Sequence, residues 1–131
     1  MIDHIGVTVS NFTRSKAFYA AALGAIGYQK LLEFGPEITQ STSVAGFGEP
    51  PKPDFWIAEG QPNRPANHVA FRVPTRALVR AFHAAALEAG GTCNGPPGIR
   101  AHYHPNYYGA FVHCPDGHNI EAVCHESEEL S

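Results

Sequence analysis

The sequence predicts an α+β fold built from two tandem βαβββ units. The main observation is an internal repeat: residues 3–9 return as residues 67–73, and residues 17–23 return as residues 81–87, at a constant offset of 64 residues with no gap. Each copy begins with strand-like apolar spacing, continues with helical spacing and returns to short strand-like runs. Self-similarity at a fixed offset indicates one supersecondary unit used twice.

The bulk properties predict one domain over residues 1–131, with unit one at about residues 1–60 and unit two at about residues 66–126. A chain of 131 residues can bury a sizeable core, and 44% hydrophobic residues argue against disorder. The net charge of −3 provides no basic surface for nucleic acid or for an anionic membrane. No run approaches the roughly 20 apolar residues of a membrane span. We therefore expect neither nucleic acid nor a membrane as a partner.

The first unit opens with a short β-branched run over residues 4–9, which predicts a strand. Thr13 is a candidate N-cap for a helix over about residues 14–23, and Gly24 provides a stop for it. After the helix, the apolar spacing predicts three further strands, over residues 28–33, 37–46 and 54–58. A loop at residues 60–65 then separates the two units.

The second unit repeats this order after its own first strand. Pro74 and Thr75 open the second helix, and Gly90 and Gly91 close it. Residues 115–117 read Pro-Asp-Gly and predict a hairpin turn, because proline presets φ and glycine accepts a positive φ. The remaining strands are predicted over residues 92–94 (a weak signal), 108–114 and 119–124.

Histidine and cysteine usage gives the compositional hints of function. Eight histidines are many for this length, and His4 and His68 begin the two copies of the repeat. The three cysteines lack metal-binding or redox spacing, which predicts free thiols in a reducing compartment. Because Met1 leads directly into the first strand, we expect no signal peptide and a cytoplasmic location.

The closing motif at residues 115–121, which reads Pro-Asp-Gly-His-Asn-Ile-Glu, completes a pattern with the tandem βαβββ units and the two leading histidines. Over essentially the whole chain, this pattern resembles the vicinal oxygen chelate superfamily. That superfamily includes glyoxalase I, fosfomycin-resistance proteins, methylmalonyl-CoA epimerase, extradiol dioxygenases and bleomycin-binding proteins. The resemblance implies that the two units, each forming half of an open barrel, make an open, barrel-like mixed sheet around a central groove that holds a divalent metal ion. It also implies His4, His68 and Glu121 as the metal ligands.

The chemistry of these three side chains is consistent with that ligand set. Two imidazoles and one carboxylate with open coordination positions suit zinc, nickel, manganese or iron(II), and the open positions admit substrate oxygens. Glu121 lies in an apolar strand, where an unpaired carboxylate would be costly and a metal ion would compensate it. The alternative is that His4 and His68 are core histidines left by the duplication, with Glu121 on a solvated face.

The sequence departs from glyoxalase I at two positions. Glyoxalase I carries a second glutamate on the last strand of its first unit, and moving Glu121 back by the repeat offset reaches Ile57 instead. Glu59 could replace it only through a register shift. Thr8 stands where glyoxalase I has an arginine. Both departures argue against a strict lactoylglutathione lyase and favour a set of three ligands.

A second cluster of candidate residues lies just before the last two strands. Residues 100–108 contain one arginine, two histidines and three tyrosines, and His102, His104 and Tyr107 are candidates for substrate contact or acid-base catalysis. Packing of these rings over the end of the barrel is an equally good interpretation. The tyrosine of extradiol dioxygenases would fall at Phe111, so Tyr107 or Tyr108 would have to substitute for it.

Three functions follow, in order of preference. The first is a metal-dependent glyoxalase-like enzyme that chelates a small substrate through adjacent oxygens for proton transfer or for lyase or transferase chemistry, with Glu121 as ligand and base. The second is an iron(II) ring-cleaving dioxygenase. The third is a metal-free protein that binds a drug or metabolite, of the bleomycin-resistance type.

The resemblance also implies a homodimer, which would cover exposed strand edges and in which His4 and Glu121 can come from different chains. For several other side chains the expectation is exposure to solvent. These are the histidines His83, His113, His118 and His125 and the helix cations Arg14, Lys16, Arg76 and Arg80. Cys114 and Cys124 are expected to be small core residues.

Overall fold

The computed structural model describes residues 1–128, so the last three residues of the predicted domain lie outside the described part. Within it, eight strands and three helices follow one another along the chain. Their bounds are β1 (Ile5–Val9), α1 (Phe12–Gly24), β2 (Gln29–Phe34), α2 (Pro36–Thr39), β3 (Val44–Gly48), β4 (Phe55–Glu59), β5 (His68–Arg72), α3 (Arg76–Glu88), β6 (Thr92–Ile99), β7 (Tyr108–His113) and β8 (Asn119–Cys124).

The strands form two four-stranded mixed sheets of the same topology. Their orders are β1-β4-β3-β2 and β5-β8-β7-β6, and residues 1–128 form no closed barrel. In each sheet the first strand pairs in parallel with the last strand of its unit, and the other neighbours are antiparallel. The α+β architecture with two βαβββ units is therefore confirmed, with the short helix α2 added to the first unit.

Side-chain caps set the starts of the two long helices. Thr75 caps α3 by accepting from the Leu78 N–H, and its position is the predicted one. In α1 the cap is Asn11, which accepts from the Arg14 N–H, so the prediction of Thr13 was wrong. Asparagine caps helices at least as well as threonine, and the helix therefore starts earlier than the apolar spacing indicates.

The prediction of one strand over residues 37–46 was also wrong. Pro36 lies in the first turn of α2, where its missing N–H costs nothing, and Gln40 directly after the helix has a left-handed φ of 59°. Only from Val44 does the chain pair with β2 and β4. The weak strand signal at residues 92–94 instead marks the start of β6, which continues to Ile99 through two irregularities in its pairing with β7.

The core is shared between the units. Buried side chains from both sheets and from α1 and α3 form one hydrophobic cluster. Across the unit boundary, the Phe71 ring meets the rings of Tyr28 and Phe55, each at a centroid distance of 5.4 Å in a T-shaped arrangement. Such edge-to-face pairs add to the free energy of apolar burial.

Two side chains expected on the surface are buried. His118 is fully buried: its Nδ1 accepts from the Asn67 N–H at 3.0 Å, and its Nε2 donates to the Thr8 carbonyl at 2.9 Å. It therefore links the hairpin before β8 to the first strand of unit one. Arg76 is 8% exposed, and its guanidinium lies 5.1 Å from the ring centroid of Tyr108. An arginine can be buried in this way because its planar group stacks on aromatic rings.

Each sheet has one face against the core and one open face. In β5, Val69 and Phe71 point into the core, whereas His68, Ala70 and Arg72 are exposed. This alternation follows from the two-residue period of a strand. We call the side with the exposed β5 residues the open face of unit two, and the equivalent side of the first sheet, which carries Trp56, the open face of unit one.

Among the helices of residues 1–128, none has the length and apolar character of a membrane-spanning helix.

Candidate functional site

The strand register brings two of the predicted ligands together on the open face of unit two. Glu121 in β8 pairs with Ala70 in β5 on one side and with Phe111 in β7 on the other. Paired residues point to the same face of a sheet, and His68 lies two residues before Ala70 on that face. The short spacing between neighbouring strands therefore places the His68 imidazole beside the Glu121 carboxylate.

The two side chains are in direct contact. His68 Nε2 lies 2.9 Å from Glu121 Oε1, and the His68 side chain is 52% exposed whereas that of Glu121 is 1% exposed. A carboxylate removed from water costs free energy unless it has polar or charged partners. The imidazole supplies one such partner, and it is itself half-exposed to solvent.

Tyr107 supplies the second partner. Its hydroxyl donates to Glu121 Oε2, so each carboxylate oxygen has its own neighbour. Burial, followed by the hydrogen bond to Glu121, raises the pKa of the Tyr107 hydroxyl far above its ordinary value. The hydroxyl therefore keeps its proton at neutral pH. Gly109 permits this approach, since a Cβ there would lie 3.2 Å from both Glu121 Oε2 and Tyr107 Cε1.

The third predicted ligand, His4, does not contact the His68–Glu121 pair. It precedes β1, is exposed, and its Nδ1 contacts Asp3 Oδ2 at 2.7 Å. His4 and His68 line one cleft of about 400 Å³, which also includes Tyr28 and Asp54. Among the residues that the structure describes, no three His, Cys, Asp or Glu side chains form a group that could hold a metal ion. One chain thus brings together His68 and Glu121 and leaves His4 apart.

The His68–Glu121 pair has the spacing that a metal ion requires of two ligands. With bonds of about 2.1 Å at right angles, a nitrogen and an oxygen ligand lie roughly 3 Å apart. The observed separation is 2.9 Å. The pair therefore fits two neighbouring positions of a first-row divalent ion, and its imidazole and carboxylate are the ligand types that such ions accept.

The histidines of the segment before β7 do not contact this pair. The His102 ring packs on Tyr103 at a centroid distance of 4.2 Å. His104 Nε2 lies 2.8 Å from His125 Nδ1, an arrangement that the spacing of these residues in the sequence does not reveal. Tyr107 is the member of the candidate trio that meets Glu121, whereas Tyr108 points towards α3 and its hydroxyl accepts from Arg80 at 3.3 Å.

Arg100 brings a positive charge to the same surface. Its guanidinium lies 5.4 Å from the ring centroid of Phe111 and donates to the Pro96 carbonyl at 2.7 Å. Phe111 is the neighbour of Glu121 in the sheet, so both the cation and the carboxylate lie next to Phe111. The open face of unit two therefore combines a guanidinium group with the His68–Glu121 pair.

The corresponding position in unit one is occupied by tryptophan. Gly6, the repeat partner of Ala70, pairs with Trp56, so Trp56 and not Ile57 is the structural counterpart of Glu121. The offset changes from 64 to 65 residues between the first and the last strand of the units, and the prediction of Ile57 was wrong for that reason. Ile57 points into the core and is fully buried.

Glu59 does not take the place of a fourth ligand. It pairs with Val9 at the end of β1, and its Oε2 accepts from the Phe12 N–H at 3.3 Å. This bond places the carboxylate at the start of α1, where the helix dipole favours a negative charge. Within the described residues, unit one thus presents an apolar open face.

A comparison with protein families agrees with this architecture. Residues 1–122 match the family model for the Glyoxalase/Bleomycin resistance protein/Dioxygenase superfamily. The chain belongs to this superfamily. The matched region spans both units and contains His68, Tyr107 and Glu121, so the candidate site lies inside the superfamily domain.

Solved structures of the superfamily are similar over nearly the whole chain. A glyoxalase/bleomycin resistance protein from Albidiferax ferrireducens T118 has a TM-score of 0.75 at 28% identity, over 95% of this chain and 98% of that chain. A glyoxalase/dioxygenase from Nostoc punctiforme has a TM-score of 0.65 at 22% identity, over 97% and 92%. A V278E glyoxalase I mutant from Zea mays has a TM-score of 0.69 at 16% identity, over 96% and 44%. The last two show the shared fold alone. Among curated proteins no match was found.

Proposed function

We propose that the protein is a divalent-metal-dependent enzyme of the glyoxalase-like type, acting on a small substrate with adjacent oxygens by proton transfer or by lyase or transferase chemistry. The observation that carries this proposal is the Glu121 carboxylate, which is 1% exposed and lies between His68 and the Tyr107 hydroxyl on an open sheet face. Buried carboxylates with specific partners in a groove are characteristic of functional sites.

The metal ion would be held by His68 and Glu121 of one chain together with His4. Zinc, nickel, manganese and iron(II) all accept two imidazoles and a carboxylate. When bound, the ion would polarise the adjacent oxygens of the substrate and so acidify the neighbouring C–H or O–H bond.

We infer that His4 reaches the site from a second copy of the chain in a homodimer. His4 is exposed and lies outside the first strand, so the N-terminal segment can extend towards another molecule. The open face of unit one is apolar: Trp56, Leu32 and Phe34 lie on it by strand register, and Leu32 is 41% exposed. Apolar sheet faces of this kind are usually covered in an assembly. The three free cysteines support a reducing, cytoplasmic setting for this dimer.

Three side chains of the chain would then have separate roles in the reaction. Glu121 Oε2 is the proton acceptor that we propose, since its other oxygen faces His68. The Tyr107 hydroxyl remains protonated and can turn from Glu121 to a substrate oxygen, which would release Oε2 at the moment it is needed. Arg100 would orient an anionic substrate group next to Phe111.

Two other functions each have one supporting observation. The Tyr107 hydroxyl at Glu121 supplies the group that a ring-cleaving iron(II) dioxygenase needs and that Phe111 lacks. The apolar face around Trp56, with two of the three ligands together in one chain, favours a metal-free protein that binds a drug or metabolite. Metal content and metal identity distinguish the three proposed functions from one another.

The test is the metal content of the purified protein and of four variants, measured by elemental analysis before and after loading with nickel, manganese, zinc or anaerobic iron(II). We expect one ion per chain in the wild type and in the His102→Gln control. We expect loss of the ion in His68→Ala and Glu121→Gln, and in His4→Ala. Retention of the ion by both His68→Ala and Glu121→Gln would contradict the site. The absence of any ion after loading would favour the binding protein.

A further inference from the structure

We propose that Cys93 is a reactive thiol, activated by His83, that forms mixed disulfides with small-molecule disulfides. His83 lies in α3 and Cys93 follows at the start of β6, and His83 Nε2 lies 3.2 Å from Cys93 Sγ. Cys93 is exposed, so a small molecule can reach the sulfur. Accessible thiols with a neighbouring base react far faster than buried ones.

The contact follows from the strand register. Cys93 pairs with Val112, which is buried on the side of the sheet that α3 covers, so the Cys93 side chain also points to that side. β6 is the outer strand of its sheet, and the pairing becomes irregular directly after Cys93. The thiol therefore lies at the rim between helix and sheet, open to solvent on one side and next to the imidazole on the other.

The pair is specific to the second unit. Residues 17–23 and 81–87 differ at one position only, where unit one has Tyr19 and unit two has His83. Tyr19 is fully buried in the core, whereas His83 is half-buried at the edge. The two helix segments are therefore identical except at this position, where unit two has a histidine that can accept a proton.

The other cysteines provide an internal comparison. Cys114 and Cys124 are 4% and 0% exposed, and neither can be approached by a reagent in the folded protein. Of the three thiols, all of which lie in the described part, Cys93 alone is accessible. Any fast reaction of the native protein with a disulfide reports on Cys93.

The reaction balances with a disulfide as the co-reactant. Burial lowers the pKa of His83, so its imidazole is neutral at pH 7 and its Nε2 can accept the proton of the Cys93 thiol. The resulting thiolate attacks one sulfur of the disulfide, one S–S bond breaks and another forms. The released thiolate takes the proton from the His83 imidazolium. The products are a mixed disulfide on Cys93 and one free small thiol, with no net redox change.

This site is separate from the proposed metal site. Cys93 and His83 lie on the helix-covered side of the second sheet, whereas His68 and Glu121 lie on its open face. Modification of Cys93 therefore does not depend on the proposed enzymatic function. Failure of one proposal leaves the other in place.

The experiment measures the rate at which an aromatic disulfide with two carboxylates, 5,5′-dithiobis(2-nitrobenzoate), reacts with the native protein between pH 6 and 9. Release of the coloured thiol gives the rate, and intact mass gives the number of modified cysteines. The wild type should show one fast thiol, which Cys93→Ser removes. His83→Gln should slow the reaction roughly tenfold at pH 7, because the base that accepts the thiol proton is lost.

His102→Gln, another change of an exposed histidine, is the matched control and should keep the wild-type rate. If His83→Gln does not fold, as judged by circular dichroism, His83→Asn replaces it. The proposal is overturned if the His83 variant retains the wild-type rate across the pH range. It is also overturned if Cys93 reacts no faster than a free cysteine peptide at pH 7.

Discussion

Trp56 and Glu121 occupy equivalent positions in the two sheets: Trp56 pairs with Gly6 in β1, and Glu121 pairs with Ala70, the repeat partner of Gly6, in β5. The duplication has therefore produced two open faces of opposite character. One has an indole packed over Gly46, where a Cβ would lie 2.9 Å from the ring, and the other has a buried carboxylate between a histidine and a tyrosine. The two faces therefore differ in chemistry although the two sheets share one topology.

Tyr107 should make the protein sensitive to alkaline pH. Burial and the bond to Glu121 raise the pKa of the Tyr107 hydroxyl, and burial followed by the bond to Asp54 raises that of Tyr28. Above about pH 10 the unfolded chain loses these protons before the folded one does, so the free energy of unfolding falls as the pH rises.

The measurement for this prediction is urea unfolding at pH 8 and pH 11. Between the two pH values, Tyr107→Phe should lose less free energy of unfolding than the wild type does. At pH 8 this variant should be about 1–3 kcal/mol less stable than the wild type, because the Glu121 carboxylate has lost its hydrogen-bond donor. His102→Gln, a change of an exposed ring in the same segment, is the control and should lose as much stability between the two pH values as the wild type. An identical loss in Tyr107→Phe and the wild type would contradict the assignment.

Gly109 should control access to Glu121. A methyl group there would lie 3.2 Å from Glu121 Oε2 and from the Tyr107 ring, closer than ordinary contact, so one of the two must move. We expect Gly109→Ala to weaken the Tyr107–Glu121 bond and to lower metal affinity by about tenfold, a loss typical of changes next to metal ligands.

Isothermal titration of the metal-free protein with nickel measures this effect. Gly24→Ala is the control, because a Cβ there meets nothing within 4 Å. Equal affinities for both variants would contradict the prediction that Gly109 sets the position of the Glu121 carboxylate.

His118 should be the histidine on which stability depends most. It is fully buried, and its two hydrogen bonds join the hairpin before β8 to Asn67 and to the first strand. His118→Ala leaves a cavity and two backbone groups without partners, so we expect a loss of about 2–5 kcal/mol. His102→Ala, at an exposed position, should cost less than about 0.5 kcal/mol. Urea denaturation curves of the two variants compare these values directly.

The internal repeat made the order of elements predictable, because the same apolar spacing occurs twice and Gly90, Gly91 and Thr75 bound the second helix. The repeat could not predict which residue opposes which across the sheet. One residue more in the second unit between its first and last strands moves the counterpart of Glu121 from Ile57 to Trp56. Periodicity within a strand is insensitive to that difference.

The candidate site was predictable only in part, for a related reason. His68 and Glu121 lie on paired strands, and their contact follows from the register once the sheet is known. Tyr107 reaches Glu121 because the turn before β7 folds back, with the Arg100 N–H bonded to the Tyr107 carbonyl at 2.7 Å. Turns of this kind depend on tertiary contacts that a linear pattern does not contain. His4 precedes the first strand, so no register constrains it.

The open face of unit one should form the contact between two copies of the chain. Trp56 is partly exposed there, with Leu32 beside it, and an apolar patch of this kind is stable in water mainly when a partner covers it. A charge at its centre would be desolvated in the dimer, so Trp56→Glu should shift the protein from dimer to monomer, with a dissociation constant raised at least about a hundredfold.

Sedimentation velocity over a range of concentrations measures this shift. Ala20→Glu is the control, because Ala20 is exposed on α1, away from the open face, and should leave the dimer intact. Loss of the dimer should also lower metal content if His4 comes from the second copy, whereas a monomeric Trp56→Glu protein with a full complement of ion would mean that His4 acts within its own chain. A wild type that remains monomeric at every concentration would contradict the dimer.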